Sequence, residues 1–314
     1  MLLYTFEFRT YCRQFRQPLK THHGIWQVRE GIILRLTDVA GNIGWGEIAP
    51  LPWFGSETLA QAVAFCESLT GKLTQETITT IPNALPACQF GLESAWETLF
   101  DAVTQSPISK KLTYSYLLPA GEEALAAAKN YQDQSTFKWK IGVAQPEEEM
   151  AIFEELVRVL PTGSKIRLDA NGGLTLAAAI AWLELSDRTG VVEFVEQPLP
   201  TTAFPQMLTW SRTFTTPIAL DESVATLQQL VESYQRGWRG IFVIKPAIAG
   251  SPRHLRQFCA NYPVDLVFSS VFETNIGRTA ALRLATELSR SDRAVGFGLD
   301  SWFEGEDENW LDVL

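Results

Sequence analysis

Phe137-Lys138-Trp139-Lys140, Ile166-Arg167-Leu168-Asp169-Ala170-Asn171, Glu193-Phe194-Val195-Glu196-Gln197-Pro198, Ala219-Leu220-Asp221-Glu222-Ser223 and Phe242-Val243-Ile244-Lys245-Pro246 are five short apolar runs, each carrying a lysine or a carboxylate at or near its end. These charges recur 29, 27, 25 and 24 residues apart, each the length of one strand plus its return helix. Candidate strands lie at 113–118, 136–141, 165–169, 192–196, 217–221, 240–245, 265–269 and 294–299. Such strands alternating with helical stretches predict an α/β fold built as a closed parallel barrel. In that architecture the C-terminal strand ends form the active face, so Lys140, Asp169, Glu196, Asp221 and Lys245 should meet at one mouth.

Outward from these runs, the helices carry their own signals. Pro146-Glu147-Glu148-Glu149 places proline and acidic residues in a first turn, where the helix dipole favours them. Leu174 to Leu185, Leu227 to Gln235 and a segment opened by Ser251-Pro252 supply later helices. The first hundred or so residues read differently. Ile32–Asp38 and Ile43–Ile48, joined by Ala40-Gly41-Asn42, predict an antiparallel hairpin with glycine and asparagine supplying positive φ. The loop Pro50-Leu51-Pro52-Trp53-Phe54-Gly55 follows. Ser56-Glu57-Thr58 then opens a helix to Leu69, and another covers Ala87 to Val103.

The whole chain, 314 residues, is long enough for a barrel with a modest second unit. Hydrophobic residues at 46% and charged residues at 20% describe a soluble globular protein. No apolar run reaches the length of a bilayer span, and the N-terminus does not read as a signal peptide. A net charge of −10 disfavours binding to nucleic-acid phosphates. Cys12, Cys66, Cys88 and Cys259 are scattered, against both a zinc site and a disulfide framework, and a reducing cytoplasm is the expected location. His22, His23 and His254 stand on no candidate strand, so histidine general-base chemistry is not expected.

The strand-end charges suggest their own chemistry. Asp169, Glu196 and Asp221 offer only oxygen ligands, suited to Mg2+, and Mn2+ fits as well. Lys138 and Lys140 are two apart and share one strand face, so Lys138 is placed to lower the pKa of Lys140, while Lys245 approaches from the other side of the cation. A hard cation between two amines suits removal of a proton α to a carboxylate. The competing explanation is a non-catalytic barrel that binds a metal or an acidic ligand.

Taken together, the Lys-x-Lys pair, the three acids and the later lysine resemble the enolase superfamily, in its muconate-lactonizing-enzyme-like subgroup. The resemblance runs over essentially the full length. It implies a modified (β/α)7β TIM-like barrel over 106–300 under an N-terminal α+β capping domain over 1–105, joined by the tail 301–314. It also implies Lys140 and Lys245 as catalytic groups and Asp169, Glu196 and Asp221 as metal ligands. Gly44-Trp45-Gly46-Glu47-Ile48-Ala49-Pro50-Leu51-Pro52 with Ser56-Glu57-Thr58-Leu59, Asp169-Ala170-Asn171 after Arg167, and Ser269-Ser270 before Val271-Phe272-Glu273 resemble the o-succinylbenzoate synthase family, dehydratases of menaquinone and phylloquinone synthesis. An N-acylamino acid racemase or a dipeptide epimerase is the other reading within the superfamily.

Contacts to a small carboxylate substrate are expected from the cap and the rim, and several stay open. Trp53 and Phe54 either close over the substrate ring or line a domain interface. His22, His23 and Gly24 form a second cap loop or a plain turn. Asn171 reaches the metal region or shapes the turn before Gly172-Gly173. Ser269 and Ser270 meet a substrate carboxylate, with one of them satisfying backbone instead. Lys138 and Arg167 contact substrate or support the carboxylates, and Asp300 faces the cap or the site. Oligomeric state is not legible from the chain.

Overall fold

The structure, a computed structural model, describes residues 2–21, 24–69, 72–104, 111–131, 135–290, 292–298 and 303. His22, His23, Asp300 and the tail 301–314, apart from Phe303, lie outside the described residues. The N-terminal part is a four-stranded antiparallel sheet ordered β3-β2-β1-β4. Its strands are β1 (Leu3–Thr21), β2 (Gly24–Thr37), β3 (Ile43–Ile48) and β4 (Lys72–Thr74). Helices α1 (Leu59–Ser68), α2 (Gln75–Thr79) and α3 (Pro86–Thr104) complete it.

The predicted hairpin is β2–β3. Asp38 holds its turn by accepting from Ala40 N at 2.9 Å and Asn42 N at 2.8 Å, with Gly41 at φ 87°. Thr58 is the N-cap of α1 in a reciprocal capping box with Gln61. Helix α3 presses its backbone onto β3. A Cβ on Gly44 would lie 2.0 Å from Ala95 O and one on Gly46 2.1 Å from Gly91 O, so Gly44-x-Gly46 is a helix-packing motif.

From residue 114 the chain alternates strand and helix: β5 (Tyr114–Leu117), α4 (Glu123–Ala128), β6 (Thr136–Lys140), α5 (Pro146–Val159), β7 (Lys165–Asp169), α6 (Leu176–Thr189), β8 (Val192–Glu196) and α7 (Phe204–Trp210). It continues through β9 (Ile218–Leu220), α8 (Leu227–Gln235), β10 (Ile241–Ile244), α9 (Pro246–Ala249), α10 (Pro252–Asn261), β11 (Asp265–Phe268), α11 (Asn275–Leu288) and β12 (Val295–Gly298). The eight strands form one parallel sheet in the order β11-β10-β9-β8-β7-β6-β5-β12. A parallel bridge between Ser269 and Gly296 joins its two edges, closing the (β/α)7β barrel.

Strand alternation divides the core into two layers. Trp139, Leu168, Val195, Leu220, Phe242 and Ile244 pack in the layer shared with the helices. Phe194, Ala219, Ile241, Val243 and Val267 form a separate cluster that fills the barrel. Lys138, Lys140, Arg167, Asp169 and Glu196 fall on the inward register. Among the described residues no helix is long and apolar enough to cross a membrane, and all four cysteines are free thiols.

Candidate active site

Lys140, Asp169 and Glu196 are the last residues of β6, β7 and β8, and the ladder sets Lys140 beside Asp169 and Asp169 beside Glu196. Asp221 and Lys245 follow β9 and β10 directly. The five therefore stand at one end of the barrel, as the spacing predicts. Asp169, Glu196 and Asp221 are all buried.

Two of the three lysines are tied to these acids. Lys138 Nζ lies 2.7 Å from Asp169 Oδ2 and 2.8 Å from Glu196 Oε1, while Lys245 Nζ pairs with Asp221 Oδ1. Burial works to lower the Lys138 pKa, but the Asp169 and Glu196 carboxylates outweigh it and hold the ammonium well above the usual lysine range. Among the described residues Lys140 makes no ion pair or hydrogen bond through its amine. Two residues along one strand thus separate a neutralised ammonium from an amine that projects alone.

The acids respond to crowding. Burial, reinforced by the Asp169 charge, pushes Glu196 above the usual carboxylate range despite Lys138. Burial likewise raises Asp221 to about 6 against the opposing pull of Lys245. Among the described residues no three His, Cys, Asp or Glu side chains stand as an assembled metal site, and lysine amines pair with Asp169 Oδ2, Glu196 Oε1 and Asp221 Oδ1. The donor set still suits a hard divalent cation: three buried carboxylates outnumber the two ammonium groups paired with them.

Several neighbours are not evident from the sequence. Gln197, fully buried at φ 37°, accepts from Asp221 N at 3.1 Å and Ser223 N at 3.2 Å, and donates to Ser223 Oγ at 2.8 Å. It thereby fixes the turn that carries Asp221. Glu222 accepts from Asn171 Nδ2 at 3.1 Å, while its Oε2 is buried with no hydrogen-bond partner. Burial, then the nearby Asp169 charge, raises its pKa. Glu149 in α5 accepts from Gly142 N, Val143 N and Ala144 N at 2.7 to 2.9 Å, bracing the loop just after Lys140. Gln197 and Glu222 each directly follow a predicted ligand, and that adjacency is the available signal; Glu149 gives only a helix-start signal.

The expected substrate contacts divide. Phe54, on the short turn Pro52–Phe54, lies with its ring centroid 3.9 Å from Lys245 Nζ, so the cap loop does cover the mouth. Trp53, 40% exposed, packs edge-on against Trp26 at 5.0 Å between centroids. Asn171, at φ 45°, donates to Glu222 and through its backbone N to Asp169 Oδ1 at 3.1 Å, so it both shapes the turn and stands beside the acids. Ser270 donates to Glu273 Oε2 and accepts from Phe272 N, both at 2.9 Å, making it the turn-satisfying serine of the pair. Ser269 stands at the barrel seam opposite Gly296.

Arg167 is a correction. It is 1% exposed and donates to Glu193 Oε2 at 2.7 Å and Ala294 O at 2.8 Å, with its guanidinium 4.9 Å from the Phe194 ring. Two residues below Asp169 on the inward register, it lies too deep to meet substrate, and its partner is Glu193 rather than a ligand acid.

Comparison with known proteins agrees with this architecture. Residues 122–312 match the model described as enolase C-terminal domain-like, and residues 10–99 match that described as MenC, N-terminal domain. The chain is 45% identical to the o-succinylbenzoate synthase of Thermosynechococcus vestitus over 94% of its own length and 92% of that protein. A crystal structure of o-succinylbenzoate synthase from Thermosynechococcus elongatus BP-1, complexed with Mg in its active site, superposes with a TM-score of 0.86. The two share 43% identity over 96% of this chain and 95% of that one. The L-Ala-D/L-Glu epimerase of Bacillus subtilis, at 24% identity over 97% of this chain and 92% of that one, has a TM-score of 0.82 and shares the fold. With a family model covering more than half its length and this Thermosynechococcus relative matched almost end to end, the chain belongs to the o-succinylbenzoate synthase family of the enolase superfamily.

Proposed function

We propose that this protein is an o-succinylbenzoate synthase, a hydro-lyase converting 2-succinyl-6-hydroxy-2,4-cyclohexadiene-1-carboxylate to 2-succinylbenzoate in menaquinone or phylloquinone biosynthesis. The observation that carries the reading is the lone amine of Lys140 at a strand end, in register with a buried acid of a three-carboxylate cluster. Asp169, Glu196 and Asp221 would hold Mg2+, which the related Thermosynechococcus enzyme carries in its active site, with Mn2+ an alternative for the same oxygen donors. When bound, the cation supplies Lewis-acid stabilisation of negative charge on a substrate carboxylate.

The protein's own groups supply the rest. Lys140 takes the proton α to the ring carboxylate; the ring C–O bond breaks, and the departing hydroxide with that proton makes water as the ring becomes aromatic. Lys245, anchored by Asp221, presents an ammonium to the charge that develops. Phe54 covers Lys245 and excludes water from that side of the mouth. The same reading divides the chain into a cap over 1–105 and a barrel over 106–300, supported by family matches over 10–99 and 122–312. It places the enzyme in the cytoplasm, acting on a small carboxylate.

Purified protein with Mg2+ and the cyclohexadiene substrate should show the ultraviolet change of aromatisation. No change in the presence of the metal overturns the assignment. Racemisation of an N-acylated amino acid at a comparable rate, followed by solvent deuterium exchange at the α-carbon, would instead mark a dual activity.

A further inference from the structure

Cap and barrel meet along α3, where Gln89 and Glu93 accept from Ser251, and also at a short rim segment, Val271–Gly277, which leads from β11 into α11. Two buried charged side chains on adjacent cap strands grip it. From β2, Arg29, 2% exposed, donates through Nε to Val271 O at 3.0 Å, and its Nη atoms reach Pro50 O at 3.1 Å and Ala49 O at 2.5 Å. From β3, Glu47, 0% exposed, accepts through Oε2 from Thr274 N and Gly277 N at 2.9 Å and from Thr274 Oγ1 at 2.5 Å. Its Oε1 accepts from the Tyr11 hydroxyl at 2.5 Å.

Thr274 is the N-cap of α11 and serves Ile276 N itself; Glu47 serves Gly277 N, the next first-turn donor. A carboxylate at a helix N-terminus is held both by charge and by direction, which an apolar contact between two layers is not. Gly277 is what lets it reach: a Cβ there would lie 2.7 Å from Glu47 Oε2.

Between the two grips stands Phe272, held at φ 62°, a left-handed conformation that is strained for a phenylalanine. Its ring packs edge-on against Phe15 at 5.3 Å and Trp26 at 5.5 Å, and Trp26 packs against Trp53 at 5.0 Å. The next residue, Phe54, covers Lys245 Nζ at 3.9 Å. A continuous path of contacts therefore runs from the gripped segment to the barrel lysine.

We infer that Glu47, acting with Arg29, is a positioning residue that sets the register of the cap on the barrel rim, so that the Phe54 ring is seated on the Lys245 ammonium. The functional side of this rests on the proposed dehydratase reading of Lys245. Glu47 itself touches no reacting group, and the carboxylate cluster of the barrel does not depend on it.

Glu47→Ala removes the grip. It should lower kcat/KM roughly 10²-fold, the scale of a misplacement of about 1 Å, with Mg2+ affinity by titration calorimetry unchanged. Hydrogen exchange should quicken at Phe54 N and Gly55 N, which bond Leu51 O and Pro52 O. Phe54→Ala added to Glu47→Ala should cost no more than the larger single loss. Glu47→Gln should largely rescue, because the Tyr11 hydroxyl can turn to accept from the amide while the amide oxygen faces Thr274 and Gly277. Should Glu47→Ala fail to fold, Thr274→Val, which replaces the hydroxyl with a methyl group, is to show the same non-additivity with Phe54→Ala. Additive losses, unchanged exchange at Phe54 and Gly55, or a parallel loss of Mg2+ binding overturn the inference. A wild-type protein that leaves the cyclohexadiene untouched overturns the reaction instead, and the exchange measurement still decides the clamp.

Discussion

Lys138 and Lys140 share a strand face and a side-chain type, yet their surroundings give them different work. Lys138 is fixed between Asp169 and Glu196, where its charge offsets two buried acids. The pairing gives it a structural role, in which it holds two proposed ligand carboxylates together. Lys140, without such a partner among the described residues, is the amine proposed to remove the proton. Lys140→Ala should reduce turnover by about 10³-fold or more, the scale of a general base, with circular dichroism and Mg2+ binding like those of the wild type. Activity within tenfold of wild type would move the proton-abstracting role elsewhere. Lys138→Met should behave differently, since it leaves two buried carboxylates facing each other; it should lower stability by about 3 kcal/mol in metal-free protein, recovered in part by Mg2+. Urea denaturation with and without Mg2+ reads that recovery.

Elements position these residues, and the loops after the strands do so under strain. Asn171, Gln197 and Phe272 all have positive φ, and each lies just beyond a barrel strand, on the rim that bears the site. Glu149 is the counterpart for β6: one carboxylate in the first turn of α5 takes three backbone N–H groups of the loop that leaves Lys140. Glu149→Ala leaves those donors unsatisfied and should cost about 2–3 kcal/mol, with kcat falling more than KM rises because Lys140 loses its brace. A stability loss with unchanged kcat would show that the loop does not steer Lys140. The barrel strands are legible in the sequence because each is a short apolar run bounded by charge and turn residues, and β7 and β8 match their expected limits. Strand β1 is not, although Tyr4, Phe6 and Phe8 alternate along it, because charged and polar residues interrupt any apolar run. The two ends of the Lys-to-Lys series need only register to reach the mouth. Phe54 over Lys245 and Glu47 on α11 need the cap docked in three dimensions, and spacing along the chain carries no such information.

At the scale of the whole molecule the barrel has charge at both ends, with different consequences. Near the N-terminal strand ends, Glu193 receives Arg167 Nε at 2.7 Å and Arg293 Nη1 at 2.8 Å, and Arg293 also pairs with Asp265 at 2.6 Å. This network joins β7, β8 and β11 to the segment entering β12, so it helps close the sheet where the fold returns on itself. Burial works to raise the Glu193 carboxyl, but the Arg167 and Arg293 guanidiniums outweigh it and hold it below the usual carboxylate range. A folded-state pKa below the unfolded value means that its contribution is complete above the unfolded carboxyl pKa, about 4.3, and is lost as pH falls through the folded value. Urea denaturation at a series of pH values should therefore show stability holding through neutral pH and declining in acid. Glu193→Gln removes one partner from a buried pair and should cost about 3–5 kcal/mol at neutral pH, and the gap to wild type should narrow as the solution is acidified. Curves that stay parallel into acid would exclude this carboxylate as a source of the decline. Since Lys140 and the three acids sit at the opposite strand ends, folded Glu193→Gln protein should keep turnover close to wild type. A large fall in its kcat would mean that barrel closure, and not the mouth alone, sets the geometry of the reacting groups.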